Sequence, residues 1–121
     1  MTITNFMINE INACISWEYN TKNILINESN IQGAQYYPDE KLILVLKEDN
    51  DNNTILVGFN ETGSIRFKVQ STDTKGISYI AKHPNIKIAV VGWEKEERGW
   101  LDYFYSINPT NGEMSKYGRA Y

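Results

Sequence analysis

Three short phrases constrain this chain more than anything else in it: "EYNTKNILIN" at 18–27, "GFNETGSIRF" at 58–67 and "YSINPTNGEM" at 105–114. In each, an apolar or aromatic run stops at an Asn-containing turn and resumes as a second run. Asparagine starts such turns because its side chain can bond its own backbone, and glycine supplies a positive φ. A chain punctuated this way folds as strands joined by hairpin-sized turns.

The rest of the sequence reads in the same manner. Runs such as "KLILVLKE", "TILVGFN", "SIRFKVQ", "ISYIAK", "IKIAVVGWE" and "WLDYFYSI" are separated by Pro38-Asp39, 49–53, 61–63, 71–76, 83–85 and 95–99. No segment sustains apolar spacing at three and four residues, so no helix is expected beyond the first twelve residues. Residues 1–12 fit a short helix or a strand equally well. Short strands with short connections signal an antiparallel meander.

The turns also repeat at long range. Pro38 aligns with Pro84, and Leu42–Val45 with Ile88–Val91, both 46 residues apart; Asn60 aligns with Asn108 at 48. Asn20 precedes Asn60 by 40, which makes 1–30 a partial unit ahead of units at 31–71 and 77–121. A four-stranded unit recurring every 40–50 residues is the sequence form of a propeller blade. The Asn-x-x-(x)-Gly turns after aromatic strands resemble those of quinoprotein-like β-propeller repeats over about 90 residues. Two and a half units cannot close a ring that needs at least four blades. The expected fold is therefore an all-β antiparallel meander of about ten short strands, in two and a half propeller-blade-like units, within one domain and without a closed propeller. No quinoprotein cofactor residue is matched, and no cofactor is expected.

Composition narrows the function classes. The 121 residues carry a net charge of −3, and no basic stripe suited to nucleic acid is present. One cysteine, Cys14, rules out an internal disulfide framework and reads as a small buried hydrophobe. Neither a signal-peptide pattern nor a run of about 20 apolar residues is seen, so a cytoplasmic, non-membrane protein is expected.

Catalytic chemistry finds little support. His83 is the lone histidine, beside Pro84 in a turn, with no partner motif for a nucleophile. Asp49-x-Asp51-x-Asn53 opens like a calcium loop. Thr54 then replaces the required Gly, and Asn60 the required Glu, so a solvated turn is the reading and no metal is expected. The glycines are scattered singly, with no phosphate loop. Asp102 among Trp100, Tyr103 and Tyr105 is the nearest approach to a pocket carboxylate. The chain is not expected to be an enzyme.

Binding surface remains. Trp93, Glu94, Glu96, Glu97 and Trp100 gather around the 94–99 turn, and Asp49 and Asp51 stand in another acidic turn. Trp and Tyr anchor interfaces, and carboxylates steer basic partners. In profile the chain resembles the immunity proteins of bacterial toxin systems, including contact-dependent inhibition. That resemblance implies an inhibitor that occludes a cognate, basic toxin, such as a nuclease, through those seven residues. The alternatives are a self-associating β scaffold, or a small-molecule or glycan site at the Trp/Tyr cluster and Asp102.

Overall fold

A computed structural model describes residues 3–9, 14–51 and 53–120. Eleven strands run in chain order: β1 (Thr4–Asn9), β2 (Cys14–Tyr19), β3 (Lys22–Asn27), β4 (Ile31–Tyr37), β5 (Leu42–Glu48), β6 (Thr54–Asn60), β7 (Ile65–Gln70), β8 (Lys75–His83), β9 (Ile86–Glu96), β10 (Gly99–Ile107) and β11 (Met114–Arg119). Among the described residues they form three antiparallel sheets, β1-β2-β3, β4-β5-β6-β7 and β8-β9-β10-β11, each a simple meander, with no closed barrel or propeller. A single 3₁₀ turn at Pro38–Glu40 is the exception to strand and loop. The all-β meander in blade-like units is thus what the chain forms. Residues 4–9 take the strand alternative; 1–2 and 10–12 lie outside the described residues.

The sheets stack face on face. Ile15 and Trp17 of the first sheet pack with Ile43, Val45, Val57 and Phe59 of the second. On its other face the second sheet offers Leu42, Leu44, Leu46 and Leu56 to Ile88, Val90, Tyr105 and Ile107 of the third. Alternation along β5 sends successive residues to opposite cores, which is why all of 42–46 are at most 1% exposed. The second sheet is a middle layer; the outer two bury one face each.

Polar contacts lock the layers. The Trp17 indole N–H donates to the Glu61 carbonyl at 2.7 Å, and the Tyr36 hydroxyl donates to the Glu61 carboxylate at 2.5 Å. Arg66 donates to Asn60 Oδ1 and to the carbonyls of Glu40, Lys41 and Pro109, at 2.7–3.2 Å, tying three turns together. Phe67 fills the space between Gly58 and Gly112. A Cβ on either would come within 2.5 Å of its ring, and Gly112 also needs its φ of +78°. The Asn20–Thr21 hairpin has positive φ at both residues, 52° and 66°, the twist that two-residue hairpins favour.

The repeat in space differs by one residue from the repeat in sequence. Leu42 and Leu44 look toward the third sheet, whereas Ile88 and Val90 look back toward the second. Residues on the same side of each layer are Ile43 with Ile88 and Val45 with Val90, one residue off the alignment of Leu42 with Ile88. A one-residue slip exchanges the faces of a strand. The Pro turns differ, with 38–41 between paired Tyr37 and Leu42 but only 84–85 between paired His83 and Ile86, and the strands differ in length as well.

Candidate functional site

The β9–β10 hairpin is the longest in the molecule, closed by Glu97 and Arg98 between paired Glu96 and Gly99. Apolar packing against the second sheet uses its 88–90 and 105–107 part. Beyond Gly92 the same face continues as Glu94 and Glu96 from β9 and Leu101 and Tyr103 from β10. This side therefore carries the polar overhang that apolar packing leaves behind.

The carboxylates there are held. The Tyr105 hydroxyl donates to Glu94 Oε1, and the Tyr103 hydroxyl to Glu96 Oε1, each at 2.7 Å. Lys116 Nζ sits 2.6 Å from Glu94 Oε2, with Lys75 Nζ at 3.7 Å from Oε1. The same ammonium groups lie over the rings, Lys116 4.2 Å from the Tyr103 centroid and Lys75 4.8 Å from that of Tyr105. The bond from Lys116 holds the Glu94 carboxyl below the usual range, and correspondingly keeps Lys116 protonated above its usual range. Burial, then the Glu94 bond, pushes the Tyr105 phenol far up. Beside this network Glu96, Glu97, Arg98, Leu101 and Tyr103 line an open groove of about 470 Å³.

Trp93 and Trp100 point the other way, to the uncovered face of the third sheet. Trp93 lies over Gly76, where a Cβ would come within 2.2 Å of the indole. Trp100 meets it edge-on at 4.9 Å, Lys95 stands 5.9 Å above the Trp100 ring, and Asp102 completes an open cleft of about 350 Å³. Five of the seven expected binding residues thus divide within the hairpin: Glu94 and Glu96 on one face, Glu97 at its tip, Trp93 and Trp100 on the opposite face. Alternation in the sequence already separates Trp100, Asp102 and Phe104 from Leu101, Tyr103 and Tyr105.

Asp49 and Asp51 sit in the β5–β6 turn at the same end of the stack. Gln70 Nε2 reaches Asp49 at 3.5 Å, and the 71–74 link returns the chain to Lys75, paired with Glu94. Asp49 is a turn cap: its carboxylate accepts the N–H groups of Asp51 and Asn53 at 2.9 and 3.0 Å. The Asn53 bond chiefly holds its pKa low. Asp51 is exposed. His83 is elsewhere, its ring edge-on to Phe104 and Tyr117 at 4.8 and 4.9 Å. Cys14 is a half-buried free thiol. Among the described residues no group of three or more His, Cys, Asp or Glu side chains could hold a metal ion, and no helix is long and apolar enough to cross a membrane.

Sequence reasoning misses Lys75 and Lys116, because nothing local marks a lysine that crosses strands to reach Glu94. It also misses Tyr37, whose hydroxyl is buried without a partner among the described residues. Tyr37 lines a second cavity of about 300 Å³ between β4 and β8 with Gln35, Ile80, Lys82 and His83. Comparison with family models, with curated proteins and with solved structures finds no match to this chain.

Proposed function

We propose that this chain is a protein-binding inhibitor of the toxin-immunity kind, and that the β9–β10 hairpin is its partner-facing element. The observation that supports it best is the groove beside Glu96, Glu97 and Arg98, with the Glu96 carboxylate held in place by Tyr103. A carboxylate fixed before encounter loses little side-chain freedom on binding, and so retains more of its attraction for a cationic group. Asp51, exposed on the neighbouring turn, adds to the negative field at this end. Glu94 plays a different part, serving with Lys116 and Tyr105 as the internal counter-ion that anchors the hairpin. The favoured partner is a basic protein, such as a nuclease toxin, whose active-site cations the hairpin would cover.

The test pairs capture with function. Tagged wild-type protein and the Glu96→Lys/Glu97→Lys variant are used as baits in the native organism's lysate at low and at high salt. The expected result is one basic protein in a one-to-one complex, lost with the variant and weakened by salt. Expressed alone, that protein should be toxic, and co-expression of the wild-type chain should relieve the toxicity. A captured protein that is harmless, or that binds the variant equally well, would sink this reading.

A further inference from the structure

Two indoles stand on the third sheet's uncovered face with no sheet to receive them. Trp93 and Lys95 are successive outward residues of β9, and Trp100 and Asp102 are successive outward residues of β10. The register sets Trp93 opposite Asp102 and Lys95 opposite Trp100, so aromatic and charged side chains alternate around four corners. The indoles share one diagonal and meet edge-on, their centroids 4.9 Å apart and their planes at 87°. The ammonium and the carboxylate take the other diagonal and are not ion-paired with each other. Gly76 gives Trp93 its seat, since a Cβ there would come within 2.2 Å of the indole. Trp100 belongs to neither hydrophobic core and is 56% exposed, so packing does not explain it. The open cleft of about 350 Å³ that Trp93, Trp100 and Asp102 line is near the lower end of small-ligand sites.

The two opposite charges decide what such a corner can hold. A cation would gain the carboxylate and the negative ring faces, but it would meet Lys95, already 5.9 Å from the Trp100 centroid. An anion would gain Lys95 but meet Asp102 and the same ring faces. A neutral ligand with an apolar face and a rim of hydroxyls meets no opposition. Its C–H bonds, slightly positive, lie against the negative face of an indole. Its hydroxyls donate to the Asp102 carboxylate and accept from the Lys95 ammonium, and such bonds to charged groups are the stronger kind. A sugar ring has this anatomy. We infer that the Trp93–Trp100 corner binds a neutral saccharide, stacked on the indoles with its hydroxyls shared between Asp102 and Lys95. The corner lies on the face of the hairpin opposite Glu94 and Glu96, so the inference stands apart from the inhibitor reading.

Tryptophan fluorescence reads the site directly, because the third indole, Trp17, is 1% exposed and bonded to the Glu61 carbonyl. The full chain is titrated with cellobiose, maltose, lactose and chitobiose, and with choline and phosphate as charged probes. At least one disaccharide should give a saturable change at millimolar concentration, equal at low and high salt because a neutral ligand has no charge to screen. Trp100→Ala changes an exposed side chain, so circular dichroism should match wild type while affinity for that sugar falls about tenfold. Asp102→Asn and Lys95→Gln should each weaken it by a smaller factor, since each removes one charge-assisted bond. Failure of all four disaccharides to bind would overturn the inference, as would a sugar that binds Trp100→Ala as well as wild type. So would choline bound more tightly than any sugar, with salt weakening it and Lys95→Gln strengthening it, because that pattern means a cation site. Tighter binding of phosphate, strengthened by Asp102→Asn, would overturn it in the same way. Loss of the 96–97 partner complex with sugar binding intact would bear on the inhibitor reading alone.

Discussion

At the scale of the residue, Tyr37 is the side chain least at peace with its surroundings. Its phenol is buried, its oxygen has no partner among the described residues, and burial pushes its pKa up to about 12 from the ordinary 10. A buried hydroxyl left without a hydrogen bond costs roughly 1–3 kcal/mol. Tyr37→Phe removes the cost and keeps the ring, so it should raise stability by about 1 kcal/mol in urea unfolding. A fall in stability would mean that a water or ligand in the β4–β8 cavity occupies the hydroxyl. The pH dependence follows from the raised value. A phenol that ionises less readily when folded contributes its stability in full below pH 10, and loses it as pH climbs toward 12. The variant should flatten the stability curve in that window. None of this is legible in "QYYPDE", where Tyr36 and Tyr37 look alike: one turns to Glu61 in the first interface and the other to the second.

At the scale of the element, the β9–β10 hairpin is held out by its charges. Glu94 gathers Lys116, Tyr105 and Lys75 from three strands, and its lowered pKa sets the sign of the acid response. A carboxylate more acidic folded than unfolded stabilises the fold above its ordinary value near 4.5. That stability drains away as pH falls through the lowered value. Glu94→Gln should cost about 1.5 kcal/mol at neutral pH, the order of a hydrogen bond to a charged group. It should also make unfolding less steep with pH below that point, as followed by tryptophan fluorescence. The sequence shows this hairpin well in outline. Its turn, its strands and the division of aromatics between two faces all follow from alternation and from Gly99. What alternation cannot show is which face meets the neighbouring sheet, since both carry large aromatics. The repeat has the same limit. Asn turns at 20, 60 and 108 mark the units, but the Pro turn between paired strand ends covers 38–41 in one unit and 84–85 in the next, and β5 has 7 residues where β9 has 11. The paired faces of β5 and β9 are therefore reversed in the alignment.

At the scale of the molecule, layering decides where stability resides. The second sheet is covered on both sides, and its central strands β5 and β6 are also hydrogen-bonded along both edges, so their amides are the furthest from water. Hydrogen exchange followed by mass spectrometry should therefore find β5 and β6 the slowest, with β1, β3 and β11 exchanging early. Equal protection in all three sheets would mean that the stack opens only as one unit. The number of layers is readable from the turn spacing, because each full unit forms one sheet. The order in which they cover one another is not, because packing partners lie in different units.

The seat of Phe67 reaches beyond the folded state. Its ring occupies the volume that side chains at 58 and 112 would need, one in its own sheet and one in a turn of the next. Variation at the three positions is therefore coupled. While an aromatic stands at 67, natural drift at 58 and 112 is confined to glycine. A lineage that shrank residue 67 would free position 58 alone, because the φ of +78° at 112 favours glycine whatever stands at 67, and so the Asn-Pro-Thr-Asn-Gly phrase would outlast the ring that now packs on it.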